Sequence, residues 1–248
     1  VALLVAFLWS YEAFSLWDTP YWTAWIVIIY FTMATAIDAF FRGASFCKYV
    51  CPIGQFHFVQ SMVSPLEVQV RNPDACQQCT TLDCIRGNDQ HRGCELDLFL
   101  PKKRGGLDCT WCLDCVQACP HDNVGISTRR GTTELLDDGW RSSLRRLSGR
   151  WDLAALVAVI VFGAFANALG MVGPVLAWQD RLAASLGLDS SWGVIALSLL
   201  AGIAIIPTLL LGLCGNASQA LSATTSSWKT VTIRYTYTLI PLGFAMWL

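Results

Sequence analysis

A dense group of cysteines constrains this chain more than any other feature, because eight of its eleven cysteines lie between positions 76 and 119. The second half of the group, from Cys109 to Pro120, has the spacing C-x2-C-x2-C-x3-C-P. This spacing lets three thiolates reach one iron–sulfur cluster from a single loop, while the fourth cysteine turns away and binds a second cluster. The stretch therefore predicts two [4Fe–4S] clusters.

The last cysteine of each half decides how the eight ligands are divided between the two clusters. The first half of the group, Cys76 to Cys94, is irregular: four residues precede Cys84, nine precede Cys94, and no proline follows. We expect the last cysteine of each half to bind the cluster of the other half. The predicted ligands of cluster 1 are Cys76, Cys79, Cys84 and Cys119. Those of cluster 2 are Cys94, Cys109, Cys112 and Cys115.

Cysteines at these spacings have two other uses, in zinc sites and in disulfide bonds. A zinc ribbon would explain the two C-x2-C pairs, but a zinc site has no need of further cysteines at x2 and x3 spacing. Disulfide bonds are disfavoured if the segment faces the cytoplasm, where thiols stay reduced.

The composition is that of a membrane protein. Hydrophobic residues make up 54% of the 248 positions and charged residues only 14%, against about 25% charged in a typical soluble domain. The apolar residues gather at both ends, and residues 42–150 form a polar middle. We therefore expect an α-helical membrane protein that carries a bacterial-type two-cluster ferredoxin domain as an insert.

The apolar blocks predict about five membrane spans. A span needs roughly 20 apolar residues, and the first block is too short, so it is expected to be the end of a helix. Residues 174–191 and 214–229 are expected to be loops, and Pro207 is expected to bend the fourth span. Because Val1 and Leu248 both lie in apolar runs, both ends are expected to be truncated. The expected spans are 1–9, 22–41, 151–173, 192–213 and 230–248.

Basic residues predict the orientation. Fourteen of the 17 lysines and arginines lie between positions 42 and 150, and basic segments stay in the cytoplasm. The insert is therefore expected on the cytoplasmic side of a bacterial inner membrane. Within residues 135–150, Trp140 and Leu147 alternate with arginines, which predicts either an amphipathic helix on the membrane surface or an ordinary solvated helix. The expected domains are 1–41, 42–70 (motif and interface), 71–134 (ferredoxin), 135–150 (linker) and 151–248.

A second motif follows the second span: Cys47-Lys-Tyr-Val-Cys51-Pro52, or C-x3-C-P. Two thiols at this spacing can bind a metal, exchange as a dithiol, or simply pack. Together with the cluster motifs, this pattern resembles the polytopic membrane ferredoxins associated with periplasmic nitrate reductase, nitrous oxide respiration and the biogenesis of cbb3-type oxidases. The resemblance covers residues 22–125 in sequence and the remainder in architecture.

Members of that family typically carry two C-x3-C-P motifs after successive helix hairpins. In this chain the second motif is reduced to Cys214-x3-Ser218, without the proline. The resemblance thus implies a third metal site with Cys47, Cys51 and Cys214 as candidate ligands. For each of these cysteines the alternative is a buried small residue. The ferredoxin region also lies between the two hairpins, whereas many family members carry it after them.

Two polar features beside the cysteines have their own predictions. The basic run from Lys102 to Arg104 is predicted to dock an acidic electron partner or anionic lipid, or to form a solvated turn. His121 follows the cysteine–proline pair and is expected to adjust or pack beside a cluster.

These observations predict a membrane-bound electron-transfer protein, expected to be a subunit of an oxidoreductase complex without catalytic residues of its own. The resemblance implies quinol-linked respiratory traffic, with lipid, other redox subunits and a quinone as partners. No dinucleotide fingerprint, P-loop or triad is present, and the balanced charge gives no indication of nucleic-acid binding. Two alternatives stay open: a redox assembly or maturation factor that uses Cys47 and Cys51, and a structural subunit whose clusters only crosslink the insert.

Overall fold

The structure is a computed structural model that describes residues 1–107, 109–140, 146–188, 190–222 and 224–245. It is mostly helical. The chain divides into two compact units, one formed by residues 1–31 with 151–248 and the other by residues 32–150. The helices and strands are α1 (Ala2–Ala13), α2 (Pro20–Phe40), α3 (Pro52–Gln60), β1 (Leu66–Val70), α4 (Pro73–Gln78), α5 (Asp83–Arg86), α6 (Asp114–Gln117), β2 (Val124–Thr128), α7 (Thr133–Leu136), α8 (Trp151–Gly170), α9 (Gly173–Ser185), α10 (Trp192–Leu200), α11 (Ile206–Ser222), α12 (Trp228–Tyr237) and α13 (Ile240–Ala245).

Three helices of the described chain are long and apolar enough to cross a membrane: α2, α8, and a continuous helix from Trp192 to Ser222. The third joins α10 and α11 through a π-helical segment, Ala201–Ile205. This wider turn comes just before Pro207, whose ring lacks the N–H and crowds the preceding turn. A local change of helix type therefore lies just before Pro207, and the bend expected there stays a prediction.

Three of the five expected spans correspond to helices of membrane-spanning length in the described residues, and the first and last do not. At the N-terminal end, α1 has only 12 residues, too few to cross alone. At the other end, α12 stops at Tyr237 and α13 starts at Ile240, because Pro241 fits the first turn of a new helix but not the interior of a continuing one.

Both expected loops between the later spans are largely helical. Residues 173–185 form α9, which accepts Pro174 in its first turn, where the missing N–H costs nothing. The third long helix continues to Ser222, well past the predicted end at 213. Its extension contains Ala217, Gln219 and Ala220, which favour the helix. Between Gly215 and the helix end at Ser222 there is no further proline or glycine.

In the first unit, the core is built around α8. Its buried side chains include Leu156, Val157 and Val161, and the indole N–H of Trp9 on α1 donates to the Ala196 carbonyl on α10 at 3.0 Å. Helix α2 differs, since none of its residues is buried. A helix with an apolar surface on all sides suits surroundings of lipid.

The second unit contains a two-stranded antiparallel sheet. Its register pairs Leu66 with Thr128 and Val70 with Val124. Between these strands lie all eight of the clustered cysteines, so the sheet closes the segment that carries them. The single helix that was expected over residues 135–150 does not form in the described part, because α7 ends at Leu136 and a 3-10 turn occupies Leu147–Gly149. Residues 141–145 lie outside the described chain.

Close packing of α11 against α12 depends on Gly215. A Cβ at this position would overlap the Thr232 hydroxyl and lie 2.8 Å from the Thr232 Cβ and 3.0 Å from its Cα. A Cβ on Gly212, one turn earlier in the same helix, would meet nothing within 4 Å.

We expect Gly215→Ala to lower the free energy of unfolding by about 1–3 kcal/mol, because α12 must move away from α11. Gly212→Ala should instead raise it by up to about 1 kcal/mol through helix propensity alone. Thermal unfolding of both variants in the same detergent checks this. Equal melting temperatures for the two variants would contradict the close approach.

Candidate metal-cluster site

Two short helical turns that present cysteines are built in the same way. Leu82-Asp83-Cys84 and Leu113-Asp114-Cys115 repeat one tripeptide. Each leucine has a left-handed backbone, with φ of 56° at Leu82 and 65° at Leu113. Such a conformation is costly for a leucine and is kept only where the surroundings impose it. Each leucine carbonyl then accepts a hydrogen bond from the residue three positions later, at 2.9 Å in both turns.

Asn123 fastens the beginning of the cysteine segment to its end. The Asn123 side chain accepts from the Asn72 N–H at 2.8 Å and donates to the Asn72 carbonyl at 2.7 Å. The same amide also donates to the Cys76 sulfur at 3.3 Å, and the Asn123 N–H donates to the Cys119 sulfur at 3.4 Å. A single buried residue therefore contacts two cysteines that are 43 positions apart in the sequence, Cys76 through its side chain and Cys119 through its backbone.

The four cysteines predicted for cluster 1 surround one cavity. It has about 370 Å³ of empty space, part of it open to solvent, and Asp83, His121 and Asn123 also line it. The structure thus brings together residues from α4, α5 and the turn before β2. The cysteines in its lining are Cys76, Cys79, Cys84 and Cys119.

The thiols around this cavity differ in acidity. Burial raises the pKa of Cys84 to about 11, and the nearby Cys119, Cys76 and Cys79 add to the shift. The pKa of Cys79 is lowered instead, mainly by the Leu82 backbone N–H and the Thr81 hydroxyl, with His121 as a further hydrogen-bond partner. His121 therefore lies beside this cysteine set, where the sequence placed it. A metal cluster that binds here has to displace the thiol protons.

The cysteines predicted for cluster 2 form a second neighbourhood around Cys115. Burial is the main cause that raises the pKa of Cys115 to about 12, and the nearby Cys94, Cys109 and Cys112 also raise it. The Trp111 N–H donates to the Cys109 sulfur at 3.4 Å. Cys115 also belongs to an apolar cluster with Val68, Leu100 and Val124, so the set is backed by the side chains of both strands.

One backbone hydrogen bond joins the two neighbourhoods. The Cys94 N–H donates to the Cys84 carbonyl at 2.9 Å, so a ligand predicted for cluster 2 is held by a ligand predicted for cluster 1. Gly87 has a φ of +78°, and a Cβ on Gly93 would overlap the Ile85 carbonyl oxygen and lie 2.5 Å from the Gly87 nitrogen. The irregular spacing of the first cysteine run therefore corresponds to a loop that doubles back on itself.

These residues fit a polynuclear cluster. Four thiols line one cavity, and two of them accept hydrogen bonds from N–H groups, which suits the thiolate ligands of an iron–sulfur cluster. Among the described residues, no group of three or more His, Cys, Asp or Glu side chains is arranged to hold a single metal ion.

The Cys47 and Cys51 motif forms a pair of its own. Cys51 precedes α3, and its sulfur accepts from the Gly54 N–H at 3.2 Å. Cys47 is exposed and Cys51 is buried. Burial raises the pKa of Cys47, and the nearby Cys51, Asp38 and Glu95 raise it further. The Cys47 and Cys51 thiols are therefore close neighbours.

Cys214 lies elsewhere in the chain. It belongs to the first unit, on α11, whereas Cys47 and Cys51 belong to the second. Within its own unit the Cys214 side chain lies near Tyr235 of α12. A third metal site with all three cysteines stays a prediction.

Sequence reasoning missed three features of the site. The repeated Leu-Asp-Cys tripeptide can be seen in the sequence, but the left-handed backbone of its leucines cannot. Nothing in the sequence singled out Asn123. The basic run was predicted to be a docking surface or a solvated turn, yet the Lys103 side chain is only 2% exposed and pairs with Glu67.

Comparison with known proteins gives one match of modest extent. Over 93 residues, or 38% of this chain, the sequence is 29% identical to a protein of Escherichia coli (strain K12) named "Putative electron transport protein YccM". The chain spans about a quarter of that relative, since the match covers 24% of it. No protein-family profile and no solved structure matches the chain. The chain is thus similar to an electron-transport protein, and its resemblance to specific respiratory and assembly proteins stays a prediction.

We expect Gly93→Ala to reduce the iron bound after anaerobic reconstitution to about half, because the added methyl group pushes the Cys94 segment away from residues 85–87. Gly149→Ala is the matched control, since a Cβ there meets nothing within 4 Å. Iron and acid-labile sulfide per chain measure the effect. Full iron content in the Gly93→Ala variant would show that the tight loop does not position Cys94.

Proposed function

We propose that this chain is a membrane-bound electron carrier that relays single electrons through two [4Fe–4S] clusters. The observation that carries the proposal is the gathering of eight cysteines into two neighbouring sets of four within one unit. The similarity to a protein named for electron transport supports it. Three helices with the length and apolar character of membrane spans support attachment to a membrane.

In this proposal the protein provides ligands, hydrogen bonds and separation from water. The bound clusters supply reversible one-electron chemistry. Asn123 and the Trp111 N–H donate to three of the ligand sulfurs, which favours the more negatively charged, reduced state. The hydrogen bond between Cys84 and Cys94 keeps the two sets next to each other, as a relay between clusters requires.

The surroundings of the relay belong to the same proposal. The bias of basic residues supports a cytoplasmic position for the cysteine unit in a bacterial inner membrane. A quinone pool or another redox subunit would exchange electrons with the clusters, and lipid would surround the apolar helix α2. The chain would then serve as an electron-transfer subunit of a larger oxidoreductase.

Anaerobically purified protein should contain about eight irons and eight sulfides per chain, as two [4Fe–4S] clusters require, and reduction should give two interacting EPR signals. Cys84→Ala and Cys115→Ala should each lose about half of the iron, because each removes a ligand of a different set. Cys214→Ala, which changes a cysteine of the other unit, should keep all of it. Zinc in place of iron would overturn the proposal.

A second candidate function rests on the contact between Cys47 and Cys51. Two thiols that form a disulfide release two electrons and two protons, so the pair could reduce a disulfide or a metal in a client protein as an assembly factor. Gly54 allows the contact: a Cβ there would overlap the Cys47 carbonyl oxygen and lie 3.2 Å from the Cys47 Cα.

The two candidates differ in what the Cys47/Cys51 pair must do. In the relay, Cys47→Ser leaves the rate of electron transfer from a chemical reductant through the clusters to a soluble acceptor unchanged. In the assembly factor, mild oxidation with a small disulfide reagent forms a Cys47–Cys51 disulfide, which peptide mass spectrometry detects. Gly54→Ala should reduce its yield because the two segments move apart. Equal disulfide yields from the wild-type protein and the Gly54→Ala variant would contradict the second candidate, because the close contact would then have no effect on disulfide formation.

A further inference from the structure

A buried cation lies close to the second cysteine set. The Lys103 ammonium is 3.7 Å from the Glu67 carboxylate, and their side chains are only 2% and 13% exposed. The next residue, Arg104, also pairs with a carboxylate, Asp137, but these side chains are 54% and 61% exposed. Lysine is almost never fully buried unless it is paired, so the position of Lys103 requires an explanation that Arg104 does not.

The backbone holds the Lys103 ammonium at the entrance to the second cysteine run. Lys103 donates to the Gly105 carbonyl at 2.5 Å. The next carbonyl along the chain, that of Gly106, accepts from the Cys109 N–H at 3.0 Å. Leu100, which precedes Lys103 by three residues, packs in the same apolar cluster as Cys109 and Cys115. The cation and the first cysteine of the run therefore share one tightly hydrogen-bonded loop.

Burial increases the effect of this cation on charge elsewhere in its loop. The influence of a charge is stronger in a poorly solvated site than in water, and the Lys103 side chain is almost fully excluded from solvent.

The repeated turns place matching carboxylates beside both sets, since Asp83 and Asp114 occupy equivalent places before Cys84 and Cys115. The cations of the described residues differ. Arg86 ends the turn of the first set, but it is exposed, so solvent screens its charge. The turn of the second set ends without a basic residue, and the cation of its loop, Lys103, is buried.

We propose that the buried Lys103–Glu67 pair makes cluster 2 easier to reduce than cluster 1, so that electrons pass from cluster 1 to cluster 2. The inference rests on the proposed function, since it assumes that both cysteine sets hold [4Fe–4S] clusters. Each one-electron reduction adds a negative charge to a cluster, and a fixed cation nearby stabilises that charge. Net charge around a cluster is one of the properties that set its potential.

The test is an EPR-monitored redox titration of the full chain in detergent. Lys103→Met should make one of the two clusters about tenfold harder to reduce, as expected for the loss of a nearby charge in a partly buried site, which is a shift of about 59 mV for one electron. Glu67→Gln should shift the same cluster in the opposite direction, because it removes the compensating negative charge. Lys103→Arg keeps the charge and should restore most of the wild-type potential.

Arg104→Gln is the matched control. It removes a cation one residue away whose pair is exposed and screened by solvent, so both clusters should stay within twofold of the wild-type equilibrium. If Lys103→Met fails to bind iron, Glu67→Gln alone decides the matter: an easier reduction of one cluster supports the inference, and unchanged potentials overturn it.

The result separates this inference from the proposed function. Wild-type protein without two clusters would overturn both. Wild-type protein with two clusters, but with potentials that the Lys103 and Glu67 substitutions leave unchanged, would overturn only the electrostatic role of the pair. Shifts of the same sign in the Lys103→Met and Glu67→Gln variants would also overturn it, because they would indicate a structural disturbance and not a charge effect.

Discussion

The burial of gathered thiols is the constraint on which the second unit depends. Burial raises the pKa of Cys84 and Cys115, and the neighbouring cysteines raise it further, so four sulfurs that share a poorly solvated space resist ionisation. Three local features hold the cysteines in place despite this. Two leucines have left-handed conformations, N–H groups donate to the sulfurs, and one asparagine connects the two ends of the cysteine segment. The short strand pair and its apolar cluster then hold these loops in place.

The ion pairs of this unit differ in how deeply they are buried. Arg129 and Glu134 form a buried ion pair, and the Glu134 carboxylate also accepts from the Gly106 N–H at 3.1 Å. Lys103 and Glu67 form a second buried pair, whereas Arg104 and Asp137 remain exposed. Ion pairs at the surface contribute little to stability, but a buried pair fixes where charge is placed. The loop from Lys103 to Cys109 is therefore held by charged partners as well as by its backbone.

Sequence reasoning reached some levels of this structure and not others. The spacing of cysteines was enough to propose which four belong together, since ligand spacing is a local property of the loops. The apolar blocks located three helices of membrane-spanning length, but Pro241 and the short α1 reduced the expected number. The two segments expected to be loops are largely helical. In the first, Pro174 fits the first turn of a helix, and in the second, the helix propensity of Ala217 to Ala220 extends α11. The burial of Lys103 and the role of Asn123 depend on contacts between distant segments, which no local pattern records.

In the proposed relay, the hydrogen bond from the Cys94 N–H to the Cys84 carbonyl would couple the insertion of the two clusters. A cluster bound to Cys84 would also fix the backbone beside Cys94, so the ordering cost of the second insertion would fall. Wild-type protein that is short of iron would then consist mainly of complete and empty molecules, and forms that hold one cluster and cannot pass an electron onward would be scarce. A variant that lacks a ligand of one set differs, because it can hold only the cluster of the other set.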